Sequence, residues 1–203
     1  MAQLTLFDLP APPPGTLPEG MIYQPDFLDA QEEAELIAVI GALPLAPARY
    51  KSYTARRRVL SFGGSYDYDA YRLLPAQSLA PELMPLRERI ARWLGVAPEA
   101  LAHALVAEYR PGTPLGWHRD VLVFRDVCGV SLGSEAVMRL RPYPPSRPRR
   151  TDIIDVPLAP RSIYALRGPA RWQWQHSVAA TPALRWSITF RTMAQQAAAR
   201  TGP

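Results

Sequence analysis

Arg185-Trp186-Ser187-Ile188-Thr189-Phe190-Arg191 alternates without interruption between large apolar and polar side chains. A period of two is that of a β-strand, so Trp186, Ile188 and Phe190 form one face and Arg185, Ser187, Thr189 and Arg191 the other. With its polar face in solvent, this is an ordinary amphipathic strand. With that face turned into a barrel, two guanidiniums need carboxylates to meet, because unpaired buried charge is costly. A small dicarboxylate gripped bidentately by arginine meets that need.

Working outward, short β-like runs occupy 103–109, 128–133, 136–141, 153–157 and 162–166, punctuated by proline and glycine. Before residue 101 the signals are helical. Asp29 and Glu32 have the spacing of a capping box, which predicts a helix over about 30–42. Pro81 suits the first turn of a second helix, whose stripe is Leu83, Leu86, Ile90, Trp93 and Leu94 and whose stop is Gly95. Two helices followed by short strands predict an α+β protein in which N-terminal helices brace a β-sandwich or barrel. Residues 1–20 hold five of the 23 prolines and read as a flexible tail. The domain is expected over 21–196, with a second tail over 197–203.

The 203 residues suffice for one domain, and 48% hydrophobic with 20% charged residues excludes a disordered or collagen-like chain. The single cysteine, Cys128, excludes an intrachain disulfide or a multi-thiolate zinc site and reads as a small core residue. No apolar run nears the ~18 residues that span a bilayer, and no signal-peptide layout is present. A cytoplasmic protein, monomeric and without membrane association, is expected. The net charge is +5, and among the 23 basic residues only Lys51 is not arginine. Arg56-Arg57-Arg58 and Arg139, Arg141, Arg147, Arg149 and Arg150 form two clusters, with Tyr50, Tyr53, Tyr66, Tyr68, Tyr71 and Tyr143 nearby. Such clusters suit phosphates and stacked bases, or else form a solvated basic face.

Trp117-His118-Arg119-Asp120 is the sharpest chemical feature. Alternation puts His118 and Asp120 on one side, where an imidazole and a carboxylate can take adjacent metal positions. His176, in Trp172-Gln173-Trp174-Gln175-His176, can join them if its strand pairs across the barrel. Two histidines and a carboxylate leave three open positions, which suits a non-heme Fe(II) oxygenase. Zinc is the competing metal, although no His-Glu-x-x-His supplies the usual base. Trp172 and Trp174 are either core or cavity wall. Arg119 is expected to face solvent or an acidic neighbour, and His103 reads as a structural strand residue.

His-x-Asp, a distal His and Arg-x-x-x-x-x-Arg, in that order, resemble the AlkB branch of the Fe(II)/2-oxoglutarate dioxygenases. Ala107-Glu108-Tyr109 through Pro111-Gly112 resembles the family's run into its metal motif, and Val130-Ser131-Leu132-Gly133 the strand that follows. Arg161-Ser162-Ile163-Tyr164 and Gly168-Pro169-Ala170-Arg171 resemble the approach to the distal histidine. Arg58 through Phe62-Gly63 to Tyr66-Asp67-Tyr68 resembles the lid over the target base.

The resemblance implies a double-stranded β-helix (jelly roll) with Fe(II) held by His118, Asp120 and His176. It implies that Arg185 binds the distal carboxylate of the cosubstrate 2-oxoglutarate, helped by the Tyr109 hydroxyl, and that Arg191 lies near the cosubstrate's metal-chelating end or the substrate. With O₂, such an enzyme forms succinate and CO₂ and hydroxylates a C–H bond; an N-methyl carbon is then lost as formaldehyde. Arg57, Arg58, Phe62, Tyr66, Tyr68, Trp117 and Trp174 are the candidate substrate contacts. Two positions depart from the family. Ala107 replaces its asparagine, and Leu122 stands where repair members carry a base-reading carboxylate. The expected function is oxidative dealkylation of nucleic-acid bases in DNA or RNA repair. The alternatives are the same chemistry on protein side chains and a non-catalytic nucleic-acid-binding module. Gln3-Leu4-Thr5-Leu6-Phe7 resembles the peptide by which bacterial repair proteins dock on the sliding clamp, with Gln3, Leu4, Leu6 and Phe7 as contacts.

Overall fold

The Asp29 carboxylate accepts the backbone N–H of Glu32, and the Glu32 side chain accepts that of Asp29, closing the capping box of helix α1 (Ala30–Ala42). After a 3-10 turn at Pro81–Leu83 comes α2 (Met84–Leu94), ended by Gly95 in the left-handed region at φ 69°. Both helices lie where the sequence places them. The structure is a computed structural model that describes residues 17–50, 53–145 and 152–194. The clamp-like residues Gln3, Leu4, Leu6 and Phe7, the tail over 197–203, and Arg147, Arg149 and Arg150 lie outside the described residues, as do the side chains of Tyr50 and Tyr53.

Before residue 101 the chain also forms β1 (Met21–Gln24), β2 (Ala46–Tyr50), β3 (Tyr53–Phe62), β4 (Ser65–Asp67) and β5 (Arg72–Leu74). After it come β6 (His103–Tyr109), β7 (Leu115–His118), β8 (Phe124–Gly133) and β9 (Ala136–Pro142). Next are β10 (Ile154–Leu158), β11 (Ile163–Leu166), the short helix α3 (Gly168–Trp172), β12 (Trp174–Val178) and β13 (Arg185–Met193). A seven-stranded sheet runs β1-β11-β8-β13-β6-β3-β2, and a four-stranded sheet runs β10-β9-β12-β7. Every pairing in both is antiparallel. Strands β6 to β13 form the jelly roll, with β11, β8, β13 and β6 in one sheet and the other four opposite. None of the described helices is long and apolar enough to cross a membrane.

The strand β13 explains how the layers meet. Ile188 and Phe190 are fully buried in a core shared with Leu36 and Ile40 of α1 and Leu86 and Ile90 of α2. Burying such side chains contributes roughly 1.5–3 kcal/mol each, which fixes the helices to the outer face of the large sheet. Arg185, Ser187, Thr189 and Arg191 point the other way, into the space between sheets. There a second core (Met138, Leu140, Val156, Leu158 and Val178 among others) holds the closed end. The open end is the site.

Two expectations need correction. The N-terminal part is not helical alone: β2 and β3 widen the large sheet beyond the jelly roll. The arginine run 56–58 hid that strand, because charge masked its period of two. Leu17–Gly20 already packs on the domain, with Glu19 and Gly20 carbonyls accepting Ala170 and Arg167 N–H groups at 2.8 and 2.9 Å. Residues 17–20 therefore belong to the folded domain.

Candidate active site

His118, near the open edge of the small sheet on β7, is the register partner of His176 on β12, and their rings lie 4.2 Å apart. Asp120 follows two residues past the end of β7. One ligand atom from each of the three side chains lies within 4.8 Å of the others. The His118 Nδ1 donates to the Gly116 carbonyl at 2.9 Å, which leaves Nε2 with its lone pair for a metal.

The electrostatics keep the trio in its ligating form. Burial, then the neighbouring His118, push His176 down to about 3; burial also lowers His118. Burial alone would raise Asp120, but the Arg191 guanidinium and the two histidines hold its carboxyl well below the usual range. Arg191 Nε donates to Asp120 Oδ1 at 2.7 Å, and Nη1 donates to His103 Nδ1 at 3.3 Å. His103 is therefore an acceptor, and burial with Arg191 pushes it down to about 3. It is the buried strand residue expected, and it also accepts a hydrogen bond from Arg191.

A second guanidinium anchors the loop that carries Asp120. Arg171 of α3 is buried, and its Nη2 donates to the carbonyls of Asp120, Val121 and Phe124 at 3.0, 2.9 and 2.8 Å. In the sequence Arg171 stands only within the Gly168-Pro169-Ala170-Arg171 motif, with nothing local to mark this role. Its partners are some 50 residues away, so no local pattern reveals them.

On the opposite wall, Arg185 is 1% exposed, with Nε on Ser131 Oγ at 3.1 Å and its plane 4.9 Å from the Tyr109 ring. Its Nη1 is buried without a hydrogen-bond partner. Arg57 of β3 donates to the Tyr109 hydroxyl at 3.3 Å. Burial would raise Tyr109, but Arg57 and Arg185 together hold it below its ordinary value. Gly129 lets the Tyr164 ring close over this wall, since a Cβ there would lie 2.7 Å from it.

These walls enclose a cavity of ≈1020 Å³. Tyr66 and Tyr68 line it from the β4–β5 hairpin, in an edge-to-face pair at 5.0 Å, and Trp117 stands at its rim. Three substrate candidates fall elsewhere. Strand alternation sends Arg58 to the face opposite Arg57, where it pairs with Glu108 at 3.2 Å and donates to the Leu45 carbonyl. Phe62, on that same face, is buried in the helix-side core. Trp174 packs on the inter-sheet core, and Trp172 belongs to α3 rather than a strand.

Two imidazoles and a carboxylate converging in a pocket suit Fe(II), and the orphaned Arg185 Nη1 suits the distal carboxylate of 2-oxoglutarate. His118, Asp120 and His176 would hold the metal, and Arg185 with Tyr109 the cosubstrate's far end. Ala107 offers no polar group on this wall.

Comparison with known proteins follows this geometry. The family model described as the 2OG-Fe(II) oxygenase superfamily matches residues 20–191. The chain is similar to an "Alkylated DNA repair protein ALKBH8 homolog" of Arabidopsis thaliana, 29% identical over 180 residues covering 78% of this chain and 50% of the relative. It thus spans about half the length of that curated relative. The solved structure of OsALKBH1 is similar in fold, with a TM-score of 0.67 at 15% identity, covering 87% of this chain and 98% of that one.

Proposed function

We propose that this chain, which belongs to the 2OG-Fe(II) oxygenase superfamily and is an AlkB-like dioxygenase, removes alkyl groups from nucleic-acid bases. Its cofactors are Fe(II), 2-oxoglutarate and O₂. When bound together they supply oxidative decarboxylation to succinate and CO₂ with hydroxylation of a C–H bond. His118, Asp120 and His176 hold the metal on one side, while Arg185 and Tyr109 orient the cosubstrate from the other. Arg191 keeps Asp120 ionised and fixed. An N-methyl carbon hydroxylated there leaves as formaldehyde.

The observation that carries the substrate class is the cavity mouth. Tyr66 and Tyr68 offer ring faces to a flipped base above the metal ligands, and Arg49 and Arg56 offer guanidiniums to its phosphates. Leu122 is 67% exposed beside the mouth and brings no carboxylate to read a base edge. Formaldehyde release from methylated single-stranded DNA, RNA and peptides tests the reading, with His118→Ala as the blank. Release from nucleic acid is expected; release from peptides alone would replace the substrate class. Clamp docking through Gln3–Phe7, a cytoplasmic location and a monomeric state complete the proposal. Clamp binding that survives deletion of residues 3–7 would remove the first of these.

A further inference from the structure

The alternation that turns His118 and Asp120 inward turns Trp117 and Arg119 onto the outer face of the small sheet. There the Trp117 ring lies across β12 toward β9. The Arg141 guanidinium sits 4.3 Å from that ring and the Arg139 guanidinium 5.7 Å from it. Arg141 Nε is steadied by Gln175 at 2.9 Å. Arg119 donates to the Trp172 carbonyl at 2.9 Å and lies 3.7 Å over the Tyr143 ring. Arg119 is half-buried and, of the two surroundings expected for it, solvent or an acidic neighbour, no carboxylate lies within 4.0 Å among the described residues.

At this face, arginines without an ion pair gather on aromatic rings. Arg58, Arg89 and Arg161, on the helix side, each have a carboxylate partner. Among the described residues, Arg119, Arg139 and Arg141 have none within 4.0 Å. Asp155 is the register partner of Arg139 on β10, yet the two form no ion pair. The ring contacts, with the Gln175 and Trp172 hydrogen bonds, already restrain these guanidiniums, so less side-chain entropy remains to lose on binding.

We propose that this face binds a single-stranded polynucleotide, with Arg139, Arg141 and Arg119 on successive phosphates and the free edges of Trp117 and Tyr143 beside bases. Charge complementarity selects the partner, and because Trp117 also rims the cavity, a strand on this face continues into the mouth. The inference extends the nucleic-acid reading above and rests on it for its biological meaning.

The test is fluorescence anisotropy of a labelled, unmodified 20-mer of deoxythymidine with the full chain. Arg139→Gln/Arg141→Gln should weaken binding about tenfold near 0.1 M salt and flatten the log–log salt dependence by about 1.4, from ~0.7 per phosphate contact. Arg139→Lys/Arg141→Lys should keep the salt slope while losing part of the affinity, which separates charge from a folding defect. Arg92→Gln/Arg110→Gln removes equal charge elsewhere and should bind almost as wild type. Cosubstrate turnover without nucleic acid, and formaldehyde release from a methylated nucleoside, should be unchanged in the glutamine variant. If no nucleic acid yields formaldehyde, the dealkylation reading fails while the anisotropy still judges this face. Unchanged affinity and slope, equal loss in the control, or equal binding of polyglutamate would each overturn the proposal.

Discussion

Replacing Arg171 with methionine keeps a long apolar stem but removes the guanidinium that ties the Asp120 loop to α3. Three carbonyls lose a donor, and charge-assisted hydrogen bonds contribute roughly 1.5–3 kcal/mol each. Opposing that loss, the wild-type guanidinium is itself desolvated, with Nε and Nη1 buried and lacking partners. The Val121–Leu122 side of the loop is also open enough for water to reach its carbonyls. The balance lies near the ~3 kcal/mol typical of breaking one partner out of a buried charged contact. For a chain of this size that is a melting temperature lower by about 6–12 °C. Because the same loop carries a metal ligand, Fe(II) affinity should fall by roughly 10–100-fold. Differential scanning fluorimetry and anaerobic calorimetric Fe(II) titration measure the two effects, with Arg171→Lys retaining part of each. A methionine variant melting within 2 °C of wild type and binding Fe(II) equally would show that Arg171 does not position Asp120.

Arg185→Met should raise KM for 2-oxoglutarate by roughly 10–150-fold, the loss of a charged hydrogen-bonded contact, while Fe(II) affinity holds; joint loss of both affinities would place Arg185 in folding instead. His118→Ala should abolish 2-oxoglutarate turnover, measured as succinate, and equal rates would remove the oxygenase assignment of the trio. Acid should destabilise the metal-free protein. His103 and His176 stay neutral when folded down to about 3, whereas the unfolded chain takes up their protons below about 6.5. Stability is therefore complete above that pH and lost as pH falls, by up to ~1.4 kcal/mol per pH unit for each histidine; urea melts of His103→Gln should show a shallower slope, and an unchanged slope refutes the assignment. Cys128 is fully buried, its thiol pushed up to about 12, so a maleimide should label it only on unfolding.

Local periodicity was enough for several elements. The Asp29/Glu32 capping box and the Pro81-to-Gly95 stripe placed both long helices, because helix ends are signalled by residues a few positions apart. Strand alternation assigned the two faces of β13. The same rule applied to β3 separates Arg57 from Arg58, but three adjacent arginines disguised it. Phe62 resembled a lid residue by its place in a motif, and only its face on the strand shows it to be core.

The sequence by itself therefore determined the helices and the two alternating faces of β7 and β13, while His118, Asp120, His176 and Arg185 became candidates through the order of their motifs. The helices and strand faces follow from spacings of two to four residues, within which backbone geometry dictates direction. Tertiary structure alone decided that His176 registers against His118, that Arg191 links Asp120 to His103, and that Arg171 locks a loop some 50 residues away. It also decided that Arg119, Arg139 and Arg141 share one face with, among the described residues, no carboxylate within 4.0 Å of their guanidiniums. Each of these depends on which strands pair and which loops meet, and that choice is made by burial summed over two cores rather than by any neighbouring residue.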